Sequence, residues 1–81
     1  MLATAVESTT LATVFYHVPS HRLWLEFRTH AVYCYFGVPR VVYRDLMAAP
    51  SKGAYFNRHI RAHFPYRREV GVPDLQPFSQ A

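Results

Sequence analysis

Leu23-Trp24-Leu25-Glu26-Phe27-Arg28-Thr29-His30-Ala31-Val32-Tyr33-Cys34-Tyr35-Phe36 is the stretch that decides how this chain folds. Leu23, Leu25 and Phe27 alternate with Trp24, Glu26 and Arg28, the period of two that marks a strand with one buried face. Thr29-His30 reads as a tight turn, and Ala31 to Phe36, rich in aromatic and β-branched residues, as the returning strand. Working outward, Leu11 to Tyr16 is a further strand of the same composition, broken by Pro19-Ser20. Connections this short favour an antiparallel meander.

The length of the turn fixes which side chains share a face. A two-residue turn pairs Glu26 with Tyr33 and Trp24 with Tyr35, placing both tyrosines opposite the Leu25–Phe27 face. A three-residue turn shifts the register by one and puts Tyr33 and Tyr35 on the Leu25–Phe27 side.

After the third strand the pattern turns helical. Pro39 suits the first turn of a helix, where its missing N–H costs nothing. Val42, Tyr43, Leu46 and Met47 recur at helical spacing, and Ala49-Pro50 ends the stripe. Ser51 is a good N-cap for a second helix with Phe56, Ile60 and Phe64 spaced by four, which Pro65 stops. The expected fold is therefore α+β: a three-stranded antiparallel β-meander followed by two α-helices (β-β-β-α-α) that cover one sheet face. The core is expected at Leu25, Phe27, Leu46, Phe56 and Ile60. Residues 1–10 are expected to be only partly ordered, 11–68 to form the domain, and 69–81 to be a flexible tail, with Val70, Val72 and Phe78 able to dock.

The chain has 81 residues, enough for one domain, and 51% of them are hydrophobic. A chain of this size buries only about 60–65% of its unfolded surface, so the core needs large side chains. Six Phe, six Tyr and one Trp supply them. No apolar run nears the ~20 residues of a spanning helix, and the start lacks a signal-peptide pattern, so a cytoplasmic protein without membrane contact is expected. The single cysteine, Cys34, excludes an internal disulfide and reads as a small apolar strand residue.

Tyr33-Cys34-Tyr35-Phe36-Gly37-Val38-Pro39, Val42-Tyr43, Ser51-Lys52-Gly53-Ala54-Tyr55-Phe56-Asn57, Ile60-Arg61 and Phe64-Pro65-Tyr66, in this order, resemble the KTSC domain. The resemblance runs from about Leu11 to Arg68. That domain is named for its place at the C-terminus of some lysyl-tRNA synthetases, and it also occurs as a stand-alone bacterial protein. The resemblance implies little about function: RNA binding is inferred for the family by its association with the synthetase. Aminoacylation does not carry over, because nothing here resembles a synthetase catalytic domain. His30 stands where the pattern has a turn glycine, and Cys34 where it has a polar residue; both lie in the second hairpin.

Net charge is +4, and it is unevenly spread. Lys52, Arg58, Arg61, Arg67 and Arg68, with His59 and His63, occupy a segment without an acid. Such a cluster suits an anionic partner through counterion release, and five phosphate contacts imply a slope of log affinity against log salt near about −3 to −5. Its structural alternative is a solvated helix face. Ser51-Lys52-Gly53 offers free N–H groups, a lysine and a small residue for a phosphate, or else only an N-cap with a segment packed on Gly53. Trp24, Tyr33 and Tyr35 form a base-stacking platform if their face is open, each stacked base contributing about 1–3 kcal/mol, or else lie in the core. Asn57 can read a nucleotide edge or tie the helix to a loop. His59 and His63 have helical metal-ligand spacing, but with no Cys or Glu beside them no metal site is expected. Paired carboxylates, a nucleophile elbow and a dinucleotide loop are absent from the sequence, and neither an enzyme nor a cofactor is expected. The expected function is a nucleic-acid-binding accessory module, with RNA (tRNA or single-stranded) as partner. The alternative is a protein-interaction module or homo-oligomer using the same aromatic face or the tail.

Overall fold

The computed structural model describes residues 3–71. Five strands, β1 (Thr4–Ala5), β2 (Leu11–His17), β3 (Arg22–Phe27), β4 (Val32–Tyr35) and β5 (Tyr66–Glu69), form one antiparallel sheet in sequential order. Between β4 and β5 lie helix α1 (Arg40–Ala48), the short helix α2 (Lys52–Tyr55) and a π-helical turn, Phe56–Ile60. The class is α+β, as expected. The expected strand count is corrected from three to five: one strand precedes the meander and one follows the helices.

The turn between β3 and β4 spans Arg28, Thr29 and His30, one residue more than a two-residue hairpin. His30 N–H donates to Phe27 O at 2.8 Å, and Phe27 N–H to Ala31 O at 2.8 Å. His30 adopts φ 75°, the left-handed region that glycine enters without cost. Leu25 therefore pairs with Tyr33 and Leu23 with Tyr35, so both tyrosines turn toward the helices. Trp24, opposite Cys34, turns the other way.

A β-bulge in β2 serves the same face. The register slips between Leu11 and Thr13, which brings Leu11 onto the side of Val14 and Tyr16. These three join Leu23, Leu25, Leu46, Phe56 and Ile60 in the main core. Of the expected core residues, Phe27 packs on this cluster half-buried and the others are buried. Tyr16 donates its hydroxyl to Val38 O at 2.6 Å, a buried bond that ties β2 to the entry of α1. Pro39 caps α1 instead of occupying its first turn, with extended backbone at φ −64°, ψ 150°.

Ser51 Oγ accepts from Ala54 N–H at 3.3 Å and starts α2 as expected, but the regular helix ends at Tyr55. A π turn follows, closed by Arg61 N–H donating to Phe56 O at 2.8 Å. The extra residue keeps both Phe56 and Ile60 buried on the sheet. Ala62, at φ 68°, then reverses the chain toward β5.

At the N-terminal side, residues 3–10 join the sheet and the core. Thr4 pairs with Val14 and Ala5 with Thr13, Val6 is buried, and Arg28 donates to Ser8 O and Val6 O at 3.0 and 2.9 Å. Glu69, expected to open the tail, is the last residue of β5 and pairs with Val32. Val70, expected as able to dock, stands 97% exposed instead, and residues 72–81, with Val72 and Phe78, lie outside the described residues. Among the described residues, no helix is long and apolar enough to cross a membrane.

Candidate nucleic-acid interface

Five aromatic rings from β3, β4, the π turn and β5 meet in a closed circuit. Phe27 lies 5.2 Å from Phe56 and 6.0 Å from Tyr33, centre to centre. Tyr33 lies 5.5 Å from Tyr66, Tyr66 lies 5.5 Å from Tyr35, and Tyr35 lies 5.7 Å from Phe56. Four of the five contacts are edge-to-face, which sets the positive rim of one ring against the negative face of the next. The rings wall a cleft of about 380 Å³ completed by Thr10, Asn57, Arg61 and Ala62. Tyr35 forms its floor at 4% exposure, whereas Tyr66 stands on the rim at 61%.

Polar groups sit at the mouth. Asn57 and Arg61, four apart and both exposed, are joined by Arg61 Nη1 donating to Asn57 Oδ1 at 3.4 Å. The Arg68 guanidinium lies 5.8 Å from the centre of the Tyr33 ring, a cation–π arrangement. Burial, together with Tyr66 and Tyr33 nearby, pushes the Tyr35 phenol up to about 12. It therefore stays neutral at physiological pH.

The remaining residues singled out from the sequence lie elsewhere. Lys52 Nζ donates to Met47 O and Ala49 O at 3.0 and 3.2 Å, closing the end of α1. It lines a separate depression with Arg28, Ser51 and Glu7. Gly53 packs directly beneath Thr10, whose side chain occupies the space a Cβ would need. Arg58 lines a third depression with Tyr55 and His59, and the His59 ring lies 4.5 Å from Tyr55. Arg67 points to the far face of the sheet, where its guanidinium and that of Arg22 lie 5.6 and 5.1 Å from the Phe36 ring. Arg67 also pairs with Glu69 at 2.7 Å.

Two geometric expectations are thereby corrected. Trp24 shares no platform with Tyr33 and Tyr35; it packs beside Phe15, 5.4 Å away, on the opposite sheet face. The five cations do not converge either: only Arg61 and Arg68 flank the aromatic cleft. Phe27 and Phe56, expected only as core, also wall the cleft. Tyr66 joins them from β5, a strand whose sequence shows no apolar alternation.

The KTSC domain family model matches residues 7–64. The chain belongs to the KTSC domain family. A crystal structure of a KTSC domain protein from Yersinia pestis superposes with a TM-score of 0.81 at 30% identity, covering 83% of this chain and 94% of that one. The lysine–tRNA ligase of Nostoc sp. (strain PCC 7120) is 42% identical over 53 residues, 65% of this chain and 9% of the ligase. That of Nostoc punctiforme is 37% identical over 62 residues, 76% of this chain and 11% of the ligase. The chain thus spans about a tenth of the length of the ligases it matches, and the match is to a KTSC segment within them.

Proposed function

We propose that this KTSC domain is a small accessory module that binds RNA and performs no catalysis of its own. The observation that carries the reading is the aromatic cleft with Arg61 and Arg68 at its mouth. The exposed Tyr66 ring, with the half-buried Tyr33 and Phe27 beside it, offers a stacking surface for an unstacked base, while Tyr35 and Phe56 are buried beneath. The two guanidiniums attract the phosphates on either side of that base. The ligases that share the domain are named for tRNA, which supports RNA over DNA. The protic groups lining the cleft are the hydroxyls of Tyr33, Tyr35, Tyr66 and Thr10, with no carboxylate, imidazole or thiol among its lining residues to activate them, and the reading as a binding module rests on that lining.

The test is binding to tRNA, single-stranded RNA and duplex DNA at two salt concentrations. Single-stranded RNA is expected to bind best. Its log affinity should fall with log salt at a slope of about −1.4 or steeper, about −0.7 for each of two phosphates. No RNA binding at low salt overturns the reading.

A second reading, a protein-interaction module, has its own observation. Trp24 stands half-exposed on the sheet face away from the helices, packed beside the buried Phe15 and Val32. A salt-insensitive oligomer in the absence of RNA binding would favour it.

A further inference from the structure

The sheet face away from the helices carries opposite charges at the two ends of β3. Leu23 and Leu25 belong to the core, so Arg22, Trp24 and Glu26 point to the other side in that order. Trp24 stands at the centre, flanked by Phe15 on β2 and Cys34 on β4, both buried. Arg22 lies two residues toward one end, its guanidinium 5.1 Å from the Phe36 ring. Glu26 lies two residues toward the other end, half-buried between Thr13 and Val32.

Neither charge is matched within the chain. Among the described residues the ion pair is Arg67 with Glu69, which leaves Arg22 and Glu26 without a salt-bridge partner. They stand about 13 Å apart along the strand, at about 3.3 Å per residue, with Trp24 between them. A second copy of the same face supplies both partners. A two-fold axis lying between the faces and crossing the strands at Trp24 reverses the second copy's strand direction. Arg22 of each copy then stands over Glu26 of the other, with the two Trp24 side chains at the axis. Facing sheets are rotated by about 30°, which displaces positions two residues from the axis by about 3.5 Å, within reach of an arginine. An axis running along β3 would instead set Arg22 against Arg22 and Glu26 against Glu26. Arg67, on β5 beside Cys34, meets its counterpart at the level of the axis, and its pairing with Glu69 at 2.7 Å offsets that repulsion.

We infer that this chain forms a two-fold dimer through the outer face of its sheet, with antiparallel β3 strands, Trp24 against Trp24 and Arg22 against Glu26. The aromatic centre supplies the affinity, and the charged ends choose the direction. Resting on the protein-interaction reading, this dimer gives that reading a definite partner. It stands apart from RNA binding, whose cleft lies on the other face.

The test is sedimentation equilibrium of the intact chain over a concentration series, with the emission of its single tryptophan followed in parallel. Wild type is expected to dimerise, and Trp24 emission to shift to the blue as the ring leaves water. Arg22→Glu and Glu26→Arg each set like charges together and should weaken the dimer by about tenfold or more. Mixing the two variants should restore association as a heterodimer, and combining both substitutions in one chain should restore the homodimer. That rescue separates lost contact from lost folding, since an unfolded variant has no face to pair. A wild type monomeric even at about 1 mM overturns the inference. A dimer indifferent to both reversals, or one that mixing does not restore, overturns it as well, and none of these results touches the RNA reading.

Discussion

Thr10 closes over Gly53 so tightly that any Cβ at the glycine would collide with the threonine's Oγ1 and Cβ. The contact joins the start of α2 to the loop before β2, and the collision involves a short, branched side chain with little room to retreat. Gly53→Ala is expected to cost about 1–3 kcal/mol, the usual penalty of overpacking. Thermal melting should show a lowered Tm, and adding Thr10→Ala should recover part of the loss. A Gly53→Ala variant as stable as the parent would mean that the loop moves freely.

His30 holds the left-handed conformation at the tip of the β3–β4 hairpin. That conformation costs a side-chain-bearing residue roughly 1–2 kcal/mol, while a glycine adds about 0.4–1 kcal/mol of unfolded-state entropy. His30→Gly is accordingly expected to stabilise the protein by about 0.5–1 kcal/mol in a denaturant titration. A loss of stability would show that the imidazole contributes something its backbone does not.

Alkaline stability follows from the β4 residues Cys34 and Tyr35. Burial, with Glu69 adding to it, pushes the Cys34 thiol up to about 11 from an ordinary value near 9. Tyr35 rises to about 12 from an ordinary 10. The native protein therefore keeps both protons to higher pH than the unfolded chain does. Their contribution is whole below about pH 9 and is lost as pH climbs from 9 to 11 for Cys34 and from 10 to 12 for Tyr35. The Tm should hold level up to pH 9 and then decline, more gently in Tyr35→Phe. An undiminished Tm at pH 11 would contradict the assignment.

Arg67 and Arg68 are sequence neighbours on opposite faces of the sheet, which gives the proposed interface an internal control. Arg68→Ala should weaken RNA binding whatever the sequence and make the salt slope shallower by about 0.7. Arg67→Ala should leave both unchanged. Equal effects from the two variants would mean that the aromatic cleft is not where RNA lies.

The meander was legible because Leu23, Leu25 and Phe27 alternate cleanly and the Val- and aromatic-rich runs beside them have no other home. Its register was not, since it hinged on one residue: histidine at position 30 does not announce a positive φ as glycine would. The two outer strands were hidden for different reasons. Thr4-Ala5 is too short to show a period, and Tyr66-Arg67-Arg68-Glu69 has no apolar alternation because both of its faces are largely wet. The helical spacing of Phe56 and Ile60 was correct in its outcome, although the turn between them is π-helical and no pattern of apolar residues reveals one inserted residue. The site was half visible for the same reasons. Tyr33 and Tyr35 stood out, but the ring circuit needs the three-residue turn to aim them and the unrecognised last strand to supply Tyr66.

Both outer strands also bear on how such a domain behaves when attached to larger proteins. Open sheet edges recruit strands from other molecules, and proteins guard against this by keeping edges short or charged. Here β1 has two residues, and β5, the opposite edge among the described residues, has the sequence Tyr-Arg-Arg-Glu. Among the described residues, one border offers little backbone for another strand to pair with, and the other sets like charges against an identical strand laid alongside in parallel register. Both of these rims thus disfavour strand-to-strand association, leaving any self-association to the broad faces of the sheet.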